Sequence, residues 1–423
     1  MVSSRRNFVF SQIDMVTVLL YVLLVIFGLI NIYSSKFSGD QTILSPGTES
    51  RSHVLYMAIS LGVAFFIILL DGGFIQRSSY VIFAFTTLML VAVLVFGDER
   101  KGATAWIDLG SITIQPSEFA KFGTAMAISR FIGNNNGYFR MSLKKKMILF
   151  SLIVGTIFLI MLEPDAGSAM VFCSFVIPLF REGFSMKLVV LILYAIALSV
   201  VTLAIDDFLI VLIIIAVVSV LIFLLNLREK HAWLYGLSVL LISLSVSYGI
   251  SFAFHNVLEP HQKERIEILF GKKQDARGAG YNIIQSKIAI GSGGVFGKGF
   301  LNGTQTKMDF VPEQHSDFIF CTVGEEWGFV GSTALMLIYL LLMIKMITMA
   351  ERQRTLFSRV YGYCIVGIIF IEVFINIGMT IGLMPVIGIP LPFMSYGGSS
   401  LLAFTIMLFV FIKLDAYRFS ILQ

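Results

Sequence analysis

Residues 255–317 read HNVLEPHQKERIEILFGKKQDARGAGYNIIQSKIAIGSGGVFGKGFLNGTQTKMDFVPEQHSD, the only long polar interval in a chain otherwise built of apolar runs. That contrast decides the fold class. Over all 423 residues, 57% are hydrophobic and 13% charged, with a mean hydropathy of +0.88, outside the range of soluble globular domains. Runs of roughly 17–25 apolar residues can cross a bilayer as helices. About twelve are present, near 15–33, 54–70, 79–97, 116–131, 147–163, 167–181, 187–204, 208–226, 233–254, 316–345, 357–382 and 398–415. No small-residue cleavage site follows the first, so it reads as a span and not a signal peptide. The expectation is an all-α polytopic membrane protein, one domain over 1–423, with a large loop at 255–315 before the tenth span.

Basic residues in the short loops set the orientation. Arg5, Arg6, Arg140, Lys144, Lys145, Lys146, Arg228, Lys230, Arg352, Arg354 and Arg359 all fall on one side when both termini are cytoplasmic. The polar interval is then extracytoplasmic. This topology accounts for the net charge of +5, which gives no reason to invoke nucleic acid. Cys173, Cys321 and Cys364 lie inside apolar runs, so buried thiols are expected, without disulfides or metal-ligand spacing.

Before the long loop, polar chemistry is sparse. Trp106, between the third and fourth runs, suits the headgroup layer. Glu118 and Lys121 stand at i, i+3 on the fourth run, close enough to pair on one helix face, and charges at that depth usually face an interior cavity. Asp165 opens the sixth run, where a carboxylate can cap a helix or join Glu118 and Lys121 in a polar pocket. Glu372 sits inside the eleventh run and is expected to pair within the bundle. Residues 183–254 hold three runs of almost no internal polarity, read as lipid-facing packing, and His231 and Trp233 read as interfacial anchors.

Within the loop, Arg265 belongs to a segment that could continue as a helix. Asp275 precedes Gly278 and Gly280, which allow a tight turn, and then Tyr281. From Asn282 to Ile290, Gln285, Ser286 and Lys287 interrupt a run of isoleucines, as in a helix lying at the interface. A Gly-rich stretch with Lys298 and Lys307 follows, able to wrap an anion with backbone N–H groups or simply to flex. Asp317, Cys321, Glu325 and Gly328 then stack along one face of the tenth span, which puts two acids on it. Between the last two spans, Pro385, Pro390 and Pro392 deny the connection a helix.

The strings KGATAWIDLG with QPSEFAK, then PDAGS, GAGYNIIQSKIAIGSGG, GTQ with FVPEQHSDFIF, and GIPLPFMSYGGSS occur in that order. Together they resemble the SEDS family of RodA, FtsW and SpoVE, over nearly the whole chain and nearest the RodA branch. The resemblance implies a peptidoglycan glycosyltransferase that polymerises lipid II into glycan strands at the outer face of the cytoplasmic membrane. It implies a class B penicillin-binding transpeptidase and the cell-elongation complex as partners. Asp275 stands at the family's catalytic aspartate, with Ala276 in place of the motif's proline, and Glu118, Lys121 and Asp165 stand at its polar cavity positions. Ala105 replaces an arginine that usually precedes Trp106. The family has ten spans, so two within 183–254 read as an insert, an even number that preserves topology.

The chemistry needs a carboxylate to take the proton of a sugar hydroxyl, opposite a departing lipid pyrophosphate that cations can stabilise. Asp275 is the expected base, and Lys298, Lys307, Lys101 and Arg265 are candidates for the clamp. A divalent cation could share that task, although no ligand set is visible. The rival reading is a transporter, either a lipid II flippase or an ion-coupled carrier, which the charges inside the runs would suit.

Overall fold

The computed structural model describes residues 12–37, 42–100, 103–108, 110, 113–205, 207–225, 231–256, 258, 260–270, 272, 279–308 and 310–418. The helices in chain order are α1 (Met15–Ser35), α2 (Glu49–Leu69), α3 (Gly72–Arg77), α4 (Ser79–Phe96), α5 (Pro116–Asn134), α6 (Leu143–Leu162), α7 (Ala166–Val171) and α8 (Val176–Arg181). They continue with α9 (Met186–Ala204), α10 (Phe208–Leu225), α11 (Ala232–Asn256), α12 (Pro260–Leu269), α13 (Ala279–Ser292) and α14 (Thr304–Lys307). The last three are α15 (Ile319–Glu351), α16 (Leu356–Thr380) and α17 (Gly398–Tyr417). Side-chain oxygens cap several starts where four backbone N–H groups would otherwise lack partners: Asp14, Thr48, Asp71, Asp165 and Thr355 each accept from the N–H three residues on.

Among the described residues nine helices are long and apolar enough to cross a membrane, and two shorter apolar stretches lie at Ala166–Arg181 and Val189–Ala204. With α5, whose Glu118, Lys121 and Arg130 lower its hydropathy, they coincide with the twelve expected runs. The chain is a multi-pass helical protein.

The chain divides into two compact units, 1–183 with 282–423, and 184–281, where the sequence suggested one domain. In the first unit α16 and α17 form the centre. Of their most apolar stretches 78% and 89% is buried, against 22% for α2 and α4. Helix α5 packs on α4 and α16, α2 on α17, and α15 on α1 and α16. In the second unit α11 packs on α9 and α10 around Leu198, Val211 and Ile215. Its interior is less apolar than expected. The Tyr194 hydroxyl hydrogen-bonds Ser243 Oγ at 2.7 Å, and Thr202 donates to Ser247 at 3.2 Å.

Four expectations are corrected. The loop at 98–115 contains a small antiparallel sheet, Asp98–Arg100, Ala103–Asp108 and Thr113–Ile114, with Asp98 opposite Trp106 and Ile107 opposite Ile114. Cys173, on the short 3₁₀ turn at Phe172–Phe175, is exposed, unlike buried Cys321 and Cys364. Asp317 precedes α15 and does not share its face, and α15 itself breaks at Gly328 (φ 65°, ψ −160°), so the inferred row of side chains is interrupted. Helix α13 does not simply lie on lipid. Ala289, Ile283 and Ile290 pack with Val311, Phe318, Cys321 and Val386, and Ser286 Oγ donates to the Thr380 carbonyl, while Ile284 and Ile288 remain exposed.

Candidate active site

Pro116 at the first turn of α5 starts a helix whose next turns carry Glu118 and Lys121, both about 1% exposed. Lys121 Nζ donates to Glu118 Oε1 at 2.7 Å and also to Glu372 Oε1 on α16. It lies 5.2 Å from the centroid of the Phe404 ring on α17. One cation thus stands between two carboxylates in the most buried part of the bundle. The second oxygens of Glu118 and Glu372 have no hydrogen-bond partner among the described residues. Such a cluster has low tolerance for loss of its cation, since each buried carboxylate then stands uncompensated.

Asp165 belongs to the same corner through different contacts. Its Oδ1 accepts from Ser168 N at 2.9 Å, so it is a helix cap. Its Oδ2 accepts from Gln115 Nε2 at 3.1 Å and Ser117 Oγ at 3.2 Å, so it also holds the start of α5. Asp165 therefore meets the Glu118–Lys121 helix through Gln115 and Ser117 and makes no bond to Lys121. Glu163, two residues earlier, is fully buried, with neither carboxylate oxygen partnered among the described residues. Burial, and then the neighbouring charge of Asp165, push its pKa up to about 8.

Above this cluster the proline-bearing connection is tied down by polar side chains. Asn376 Nδ2 donates to the carbonyls of Asp317 (2.8 Å) and Ile389 (2.7 Å). Ser395 Oγ donates to Ser316 O at 2.6 Å, and Tyr396 N donates to His315 O at 2.9 Å. Ser399 Oγ accepts from Gln115 N and donates to Thr113 O, joining the start of α17 to that of α5. The half-buried Asp317 carboxylate points toward Gly388, where a Cβ would come within 3.3 Å of its Oδ2.

The Gly-rich stretch is not a free loop, since backbone hydrogen bonds hold it against α15. It fills the break in α15. Phe329 N and Val330 N donate to Gly294 O and Val295 O at 2.9 and 3.0 Å, while Lys298 N and Gly299 N donate to Glu325 O and Glu326 O, both at 3.0 Å. Four backbone groups freed by the kink are thus paired with the turn that enters it. The approach is so close that a Cβ on Gly297 (φ +79°) would lie 2.1 Å from Glu326 O. Lys298 Nζ is engaged with Glu325 Oε1 at 2.6 Å, so its charge is neutralised within the protein. Lys307 is exposed and reaches over the Phe37 ring at 5.2 Å, and Lys287 is exposed beside Gly382.

Of the other expected site residues, Trp106 is half-buried on the middle strand, Arg265 half-buried on α12, Gly280 buried, and Tyr281 and Gln285 half-buried on α13. Asp275, Gly278 and Lys101 lie outside the described residues. Among the described residues no three His, Cys, Asp or Glu side chains gather as a metal site.

A sequence pattern for the family described as Cell cycle protein, FTSW_RODA_SPOVE, matches residues 14–209 and 191–419. The chain belongs to this family. Among FtsW/RodA/SpoVE relatives, the Peptidoglycan glycosyltransferase MrdB of Escherichia coli (strain K12) is 37% identical over 316 residues, 74% of this chain and 71% of that protein. The Peptidoglycan glycosyltransferase RodA of Treponema pallidum is 30% identical over 417 residues, 92% of this chain and 94% of that one. A chain from a solved peptidoglycan synthase complex superposes with a TM-score of 0.70 at 26% identity, covering 96% of this chain and 98% of its own. The crystal structure of Thermus thermophilus RodA shares the fold, with a TM-score of 0.62 at 23% identity and the same coverage. Within the FtsW/RodA/SpoVE frame, sequence reasoning named Glu118, Lys121 and Asp165 and left Glu372 without a partner. Gln115, Ser117 and Glu326 escaped it, and Glu325 was read only as part of a row on the tenth span. A count of acids against bases inside the spans was the one signal available for Glu372.

Proposed function

We propose that this chain is a peptidoglycan glycosyltransferase that polymerises lipid II at the outer face of the cytoplasmic membrane, with both termini cytoplasmic. The observation that carries the reading is the family match over 14–209 and 191–419, joined by relatives named peptidoglycan glycosyltransferase at 37% and 30% identity. Asp275 acts as general base on the acceptor sugar hydroxyl, which displaces undecaprenyl pyrophosphate with inversion. The exposed Lys287 and Lys307 are better placed to meet an incoming pyrophosphate than Lys298, whose charge Glu325 already offsets. The Glu118–Lys121–Glu372 cluster, with Asp165 beside it, holds the floor of the site in one arrangement. Gln115, Ser117 and Ser399 transmit that arrangement to the strand at Thr113–Ile114.

A class B penicillin-binding transpeptidase within the cell-elongation complex is the proposed partner. The similarity to a chain of a peptidoglycan synthase complex supports that pairing. Buried intramembrane charges are also used by carriers, so the deciding assay must separate polymerisation from transport. Purified protein with its cognate transpeptidase is given labelled lipid II in detergent and in liposomes. Glycan chains are the expected product, and movement of lipid II across the bilayer without chains would overturn the reading.

A further inference from the structure

The first half of α15 carries two adjacent buried glutamates in unlike surroundings. Glu325 is saturated. Its Oε1 accepts from Lys298 Nζ (2.6 Å), Thr304 N (2.8 Å) and Gln305 N (2.9 Å), and its Oε2 from Thr306 N (2.9 Å). Glu326 is 1% exposed and has no cationic partner among the described residues. Its Oε1 accepts from Ser34 Oγ on α1, and its carboxylate faces the Leu301 and Gly303 amides. Its Oε2 has no hydrogen-bond partner among the described residues. Thr306 Oγ1 is wholly buried and lies against the Glu325 carboxylate, to which its hydroxyl donates.

Gly303 stands where one oxygen of each of these three side chains converges. A Cβ there would stand 2.3 Å from Thr306 Oγ1, 3.0 Å from Glu325 Oε2 and 3.3 Å from Glu326 Oε1. The three oxygens therefore gather around one point. Lys298 offsets one of the two carboxylate charges and leaves the other buried with no cation beside it among the described residues. A water could satisfy the orphaned oxygen but not the charge. A divalent ion would over-compensate it, and such ions take six or more oxygen ligands. The pair also lies at the C-terminal end of the half-helix that stops at Gly328, where the backbone dipole favours positive charge. Broken membrane helices with that polarity are suited to holding small cations.

We propose that Glu326 and Thr306, with Glu325 beside them, bind a sodium ion. The ion joins the 301–306 segment and α1 to the broken helix α15. It lies apart from the Glu118–Lys121–Glu372 cluster and is independent of the proposed polymerase reaction. The test is thermal unfolding of the purified full chain in detergent, titrated with sodium chloride at constant ionic strength against choline chloride. A ligand bound only by the folded state raises the unfolding midpoint with the logarithm of its concentration. The wild type should gain several degrees, Glu163→Gln should keep that gain, and Glu326→Gln and Thr306→Val should each lose it. If Glu326→Gln does not fold, the wild-type and Thr306→Val titrations decide. A wild-type midpoint that ignores sodium would mean that a proton neutralises Glu326 and would overturn the proposal. A sodium gain that survives in Thr306→Val would do the same.

Discussion

Lys121 on α5 bonds Glu372 on α16 across 251 positions of sequence, and with Glu118 it closes a buried triad of one base and two acids. Truncation to Lys121→Met leaves both carboxylates buried without a cation. Breaking a buried pair in this way costs about 3–5 kcal/mol, so abundance and unfolding midpoint should fall together. Adding Glu118→Gln and Glu372→Gln removes the stranded charges and should restore most of the stability. A Lys121→Met protein of normal abundance, normal midpoint and full polymerase activity would refute the triad's role.

Asp275→Asn keeps the side chain's size and cannot accept a proton. Polymerisation should drop on the order of 10²–10⁴-fold, the usual contribution of a positioned base. The unfolding midpoint should stay at the wild-type value. Asp309→Asn, in the same polar interval, is the control and should retain activity. A wild-type rate in well-folded Asp275→Asn would sink the mechanism.

Gly297→Ala places a Cβ against the Glu326 carbonyl at a positive φ. Residues forced into that region cost of order 1–3 kcal/mol, and the turn must also leave the break in α15. The unfolding midpoint should fall clearly. Gly291→Ala is the contrast, because that glycine is helical with nothing within 4 Å of a new Cβ, and the change should be neutral or slightly stabilising. Equal effects from the two substitutions would show that the turn does not plug the helix.

Glu163 predicts a pH dependence. Its folded pKa of about 8 lies above the ordinary glutamate value of 4.5, first through burial and then through Asp165. The folded state holds this proton more tightly than the unfolded chain does. Its contribution is therefore complete below pH 4.5 and is lost as pH rises through 8. Glu163→Gln should flatten the fall in unfolding midpoint across that window and equal or exceed the wild type at its upper end. An identical pH profile in the variant would exclude Glu163 as the source.

The apolar helices were legible because bilayer thickness demands long apolar runs, a property of local composition that no distant contact can alter. The Glu118–Lys121 pair was legible for a related reason, since i, i+3 spacing on a helix fixes proximity. Asp165 could be read as a cap, and it is one, because capping involves only the next three residues.

What remained hidden depended on chain segments far apart in sequence. Glu372 acquires its meaning only when α16 packs on α5, and Gln115 and Ser117 only when the turn before α7 arrives beside them. The Gly-rich stretch looked like a flexible or anion-binding loop, because glycine content shows where backbone can approach closely but not what approaches. Tertiary structure decided that its partner is the carbonyl edge of α15 opened at Gly328, where buried backbone groups must find hydrogen bonds wherever the fold supplies them.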